Sequence, residues 1–194
     1  MTICRPATSE YDPYFQRYID LVPPGQVLEI MDRQWNGVSR LIDAVSEEAS
    51  CYRYLPGKWN VREVLGHMME VERMLVYWAW CFSRGDLSRR PPVDCAAYVV
   101  RGRFAERSLG SIGAEFQSVR CGSILFFGSL DGSMLQQVGE AGGGPMSVRA
   151  LAYIIVGHTQ HHRSTLRDLY QLPGDWLELS VSSAIPVSGC GSKA

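Results

Sequence analysis

Four stretches of the chain place apolar residues at the three- and four-residue spacing that lays one stripe along an α-helix, and breakers separate them. The first carries Val27, Leu28, Met31, Trp35, Val38, Leu41, Ile42 and Val45. It follows Pro23-Pro24-Gly25 and an irregular opening rich in aromatics, Tyr11, Tyr14, Phe15 and Tyr18. The second starts near Val61, where Asn60 and Glu63 have the spacing of a capping box, and runs through Val64, Leu65, Met68, Val71, Leu75, Trp78 and Phe82 until the Gly85 region and Pro91-Pro92 end it. A loop of about 15 residues, Val93 to Arg107, comes next, of a length that in compact domains belongs to lids or links; we read it as a lid. In the third stretch Leu109, Ile112, Phe116, Val119, Leu125 and Phe127 keep the period. There Gly110, Gly113, Gly122 and Gly128 each cost about 1 kcal/mol of helix propensity relative to Ala, so neighbouring elements must hold this helix in place. The run Gly142-Gly143-Gly144 before Pro145 precedes the fourth helix, Ser147 to Leu172, which Pro173-Gly174 closes.

No alternating pattern argues for a sheet, and no repeat occurs. The expectation is an all-α four-helix bundle over residues 1–174, with a long loop between the second and third helices. Residues 175–194, apolar at first and then rich in Ser and Gly, form an extension that packs on the bundle or is flexible.

Composition narrows the function. A hydrophobic fraction of 46% with 20% charged residues suits a globular core and not a disordered chain. Lys and Arg number 19 against 20 acidic residues, and no basic run exceeds Arg89-Arg90, so a nucleic-acid surface is not expected. The six cysteines contain no C-x-x-C pair, which argues against a zinc ribbon or a redox motif. The longest uncharged apolar run, Met74 to Phe82, falls far short of the roughly 20 residues that span a bilayer. The first ten residues lack a signal-peptide core. A cytoplasmic protein with no membrane partner is the expectation.

Four histidines occur, and three of them crowd into Gly157-His158-Thr159-Gln160-His161-His162. On a helix turning about 100° per residue, with His158 at zero, Leu151 lies at about +20°, Ile154 at about −40°, His162 at about +40° and Leu169 at about +20°. His158 and His162 therefore point into the core, while His161, at about −60°, sits on the flank of the stripe and caps the edge of a site or touches a neighbour. The fourth, His67, shares a turn with Val64, Met68 and Val71 and also faces inward. Imidazoles four apart on one helix and a third from a facing helix can grip one divalent ion and leave coordination positions open. The alternative is that each ring is a hydrogen-bonded core residue in a metal-free bundle. Glu70, three residues after His67, is either a ligand or outer acceptor for the site, or a salt-bridged surface residue.

Three segments resemble the DinB/YfiT-like family of metalloenzymes: Leu55-Pro56-Gly57-Lys58-Trp59; Leu65-Gly66-His67 followed by Glu70-Val71-Glu72-Arg73; and Ala150-Leu151-Ala152-Tyr153-Ile154-Ile155-Val156-Gly157-His158 through His162. The resemblance covers roughly residues 5 to 170. It implies a four-helix bundle whose metal is held by His67, His158 and His162, and a homodimer. Members of the family include transferases and isomerases that use a low-molecular-weight thiol such as mycothiol or bacillithiol. The chain departs from the pattern at Cys95-Ala96, in the glycine-rich third helix, and beyond Gln171.

The expected function is a metal-dependent enzyme, a thiol S-transferase or a hydrolase, in which the ion, zinc or nickel, activates a thiol or water toward a small electrophilic molecule. No residue is assigned a catalytic role. Asp94, Tyr98 and Arg101 are candidates to orient the substrate from the long loop, unless they are solvated loop residues. The alternative function is a non-catalytic bundle that binds a metal or small ligand and acts through a partner.

Overall fold

The computed structural model describes residues 2–172, so the extension 175–194 and the expected Pro173-Gly174 stop lie outside the described residues. Four long helices make the bundle: α2 (Val27–Ala44), α3 (Val61–Ser83), α5 (Leu109–Gly128) and α7 (Val148–Asp168). Three short helices accompany them: α1 (Gln16–Ile19) before the first, and α4 (Cys95–Arg101) and α6 (Gly132–Leu135) in the connections. Strands β1 (Val138–Ala141) and β2 (Gly144–Ser147) complete the set.

Each long helix begins where its sequence satisfies the free amide donors of a first turn, except α2, whose Gln26 makes no side-chain cap. Asn60 accepts from the Glu63 amide at 2.9 Å and donates its own amide to Glu63 at 2.8 Å, the expected capping box of α3. Ser108 caps α5, and Ser147 caps α7 by accepting from the Ala150 amide at 3.1 Å. Helix α7 stops at Asp168, four residues before the expected end, and Leu169 is consequently 45% exposed beyond the helix instead of lying on the core stripe.

Helix α5 survives its glycines by packing between α2 and α3. Its inward face carries Ile112, Phe116, Arg120, Ser123 and Phe127, whereas Leu125 points outward, against the sequence expectation. The lid segment is not a plain loop. It folds into α4, capped by Asp94, and a 3₁₀ turn at Phe104–Glu106. The glycine run is the turn of an antiparallel hairpin in which Val138 pairs with Ser147 and Ala141 with Gly144. Both turn glycines, Gly142 and Gly143, have positive φ (66° and 109°), which suits the tight two-residue hairpin.

Two apolar clusters form the core. One gathers α1, the hairpin and the first half of α7; the other gathers the second half of α2 with the first halves of α3 and α5. Along each long helix a buried polar residue lies at or within one turn of the boundary between them: Gln34, Glu72, Arg120 and Thr159. These form one network. Arg120 donates to Glu72 at 2.7 Å, to Thr159 at 3.0 Å and to the Met31 carbonyl at 3.1 Å, and Gln34 donates to the Val156 carbonyl at 2.9 Å. Among the described residues no helix is long and apolar enough to cross a membrane.

Candidate metal centre

The residue before each of two key histidines is a glycine that brings another element onto the helix backbone. At Gly66 an added Cβ would lie 2.2 Å from Cγ of Phe104, so that ring sits against α3 one position before His67. At Gly157 an added Cβ would lie 1.9 Å from the carbonyl oxygen of Tyr18, so α1 meets α7 through bare backbone one position before His158. The Tyr18 ring then stands edge-on to His158, with centroids 5.4 Å apart. Trp59 flanks His67 at 4.8 Å.

Helix α3 packs along α7, and this brings His67 from one to His158 and His162 on the other. The Nε2 atoms of His67 and His162 each lie 3.1 Å from Nε2 of His158. Ligand nitrogens of the three residues all fall within 4.8 Å of one another. A neutral imidazole nitrogen carries either one hydrogen or one lone pair. His158 Nε2 faces two nitrogens and can pair properly with only one of them. A shared cation accepts all three lone pairs at once, and nitrogens about 2.0–2.1 Å from a tetrahedral ion lie ~3.3 Å apart, near the spacing seen. The donor set therefore fits a divalent ion better than it fits itself.

Electrostatics agree. Burial, with a smaller push from His161, lowers the His67 pKa to about 4. Burial also holds His158 and His162 well below the usual histidine range, helped by the crowding of the rings. All three are neutral at pH 7, the state that ligates a metal. Nδ1 of His67 is buried without a hydrogen-bond partner among the described residues. Among the described residues no outer carboxylate steers that ring, and packing against Trp59 sets it.

The other residues singled out in the sequence fall around this centre. His161 is exposed and touches Tyr18 of α1, with ring centroids 5.8 Å apart. Glu70 lies outside the three-histidine cluster and pairs with Arg73 at 3.1 Å; Arg73 also holds Glu115 at 2.5 Å. A cavity of about 250 Å³ opens beside His67, lined by Glu70, Val71, Arg73, Met74, Val93, Cys95 and Tyr98. Tyr98 thus faces the site. Asp94 and Arg101 do not line this cavity: Asp94 caps α4 by accepting from the Ala97 amide at 3.0 Å, and Arg101 is exposed in the last turn of α4. Burial, reinforced by Asp94, raises the Cys95 thiol pKa, so at neutral pH it is an uncharged wall.

The polar layer and the approach of α1 are what sequence reasoning missed. Arg120 interrupts an apolar stripe, a signal visible in the sequence but without its partner Glu72, which is 48 positions away. Nothing local marks Tyr18 as a neighbour of His158.

Comparison with known proteins follows the same lines. A family model described as the DinB superfamily matches residues 30–166. No curated protein matches the chain. Among solved structures, the chain is similar to YfiT from Bacillus subtilis, described as a probable metal-dependent hydrolase with an unusual four-helix bundle topology. The identity is 13%, the TM-score 0.64, and the match covers 87% of this chain and 91% of that one, so the likeness is one of fold.

Proposed function

The chain belongs to the DinB superfamily, and from that premise we propose that it is a metal-dependent enzyme in which His67, His158 and His162 hold one divalent ion, zinc or nickel. The observation that carries this reading is the His158 Nε2 atom, placed 3.1 Å from two other imidazole nitrogens that a common cation satisfies together and a single hydrogen bond does not. Three neutral protein ligands leave room for a reactant, as catalytic and not structural sites do. When bound, the ion supplies acidification of water or of a low-molecular-weight thiol, giving a nucleophile near neutral pH. The description of YfiT as a probable hydrolase supports the water version; the open position serves either.

The chain's own residues define where a small electrophile sits. Val71, Met74 and Val93 give the cavity beside His67 an apolar wall that sheds water, while the Glu70–Arg73 pair and Tyr98 supply polar contacts. Cys95 is an uncharged thiol at neutral pH, held so by burial and by Asp94.

The test is elemental analysis of untagged protein purified without chelator, beside His162→Ala. Close to one ion per chain in the wild type, and its loss in the variant, is the expected result. Absence of metal from both, even after reconstitution with zinc or nickel, would sink the proposal.

A further inference from the structure

Arginines in this chain mostly meet carboxylates: Arg53 pairs with Glu63, Arg62 with Glu47, Arg73 with Glu70 and Glu115, Arg149 with Glu10. Arg17 pairs with none among the described residues, and it lies beside the metal centre. Its guanidinium stacks over Tyr14 at 4.0 Å and over Tyr18 at 4.7 Å, and Nη2 donates to the Tyr18 hydroxyl at 3.0 Å. The same Tyr18 ring stands edge-on to both His158 and His161. An exposed cation is thus held in a fixed place, next to two histidines, by two aromatic faces. The acid that closes its own helix, Asp20, accepts from the Gln16 side-chain amide at 2.7 Å and makes no ion pair with Arg17 among the described residues.

Charge balance shows what this cation serves. A divalent ion on three neutral imidazoles carries its full charge, and Arg17 adds to it. The nearby carboxylates are committed elsewhere, Glu70 to Arg73 and Glu72 to Arg120. With Asp20 as the one carboxylate of α1's end left in the balance, an anion arriving at this end of the bundle still meets an excess of positive charge and a planar guanidinium suited to carboxylate or phosphate oxygens.

We propose that Arg17, stacked on Tyr14 and Tyr18 beside His158 and His161, is the seat for the carboxylate or phosphate group of an anionic reactant. The cavity meets the centre at His67, and the Tyr18 ring joins the cation to the centre at His158, so a two-reactant chemistry has an apolar seat and an anionic seat on two sides of the same ion. This inference rests on the metal-centre reading above.

The experiment uses the full chain loaded with zinc and titrated by calorimetry with benzoate, phenyl phosphate and, as the uncharged match, benzamide. The zinc content of every sample is measured. Wild type is expected to bind at least one of the two anions more tightly than benzamide, and the stronger of them identifies the preferred group. Arg17→Gln is expected to weaken the anion ~5–10-fold, with zinc content and benzamide binding unchanged, and Arg17→Lys to restore part of the loss. Arg101→Gln, on α4, is the comparison. The proposal is overturned if neither anion binds, if Arg17→Gln binds it as wild type does, or if Arg101→Gln accounts for the loss instead. A chain that takes up no zinc removes the metal-centre reading and this one with it; a loaded chain indifferent to Arg17 removes this one alone.

Discussion

At Gly157 the space available to one hydrogen atom decides how two elements meet. Alanine there would place a Cβ 1.9 Å from the Tyr18 carbonyl, which belongs to backbone and cannot swing aside. Gly157→Ala is therefore expected to push α1 off α7 at a cost of about 1–3 kcal/mol. For a chain of this size that lowers the melting temperature by ~2–10 °C, and circular dichroism would read it. At Gly122, on the outer face of α5, a Cβ meets nothing within 4 Å. Gly122→Ala is expected to raise stability by up to ~1 kcal/mol through helix propensity alone. Equal effects from both substitutions would contradict the packing described. The sequence displayed both glycines without distinguishing them, because the difference lies in which distant residue stands opposite. The clustering of His67, His158 and His162 was legible for the contrary reason. His158 and His162 share a helical stripe by spacing alone, and His67 lies on the apolar side of its own helix.

Between elements, the buried layer of Gln34, Glu72, Arg120 and Thr159 ties all four long helices together at the level of His158. The Glu72 and Arg120 side chains are 2% and 1% exposed, so removing one partner leaves a charge in the core. Glu72→Ala is expected to cost about 3–5 kcal/mol in denaturant unfolding. Glu72→Leu combined with Arg120→Met should cost clearly less than that, since no charge is stranded. A double variant as damaged as the single would show that the network contributes more than charge pairing. Sequence patterning could not reveal the layer, because a buried arginine reads as a flaw in an apolar stripe until its partner on another helix is known. Length hid the rest. Helix α4 has seven residues and the strands four each, too few for a period to declare itself, and β1 and β2 hold two glycines and a proline among their eight residues.

Across the whole molecule, the amino-terminal segment is clamped to the last helix by Glu10 and Arg149. The hydrogen bond from Arg149 lowers the Glu10 pKa from 4.5 to about 2, against an opposing push from burial. A depressed carboxyl pKa adds stability that is fully present above pH 4.5 and is lost as the pH falls through about 2. Glu10→Gln is expected to lower stability by about 1 kcal/mol at pH 7, given the solvent screening of a partly exposed pair. The gap to wild type should close between pH 4.5 and 2. A gap that persists at pH 2 would mean that packing, not charge, joins the two segments. The bundle, its helix order and the histidine cluster were thus readable from spacing, while the clamp joins residues 139 positions apart and was not.

The Phe104 wedge at Gly66 has a further consequence. The three clustered histidines sit on the long helices, but the outer wall of the cavity sits on the segment around α4, from Val93 to the 3₁₀ turn at Phe104–Glu106, a short insert that reaches the bundle through Val99 and the Phe104 ring. Residues at Val93, Cys95 and Tyr98 can be exchanged while both anchors stay in place. The lining of this cavity is therefore free to drift, or to be redirected in a library confined to three positions, without renegotiating the fold or the histidine cluster.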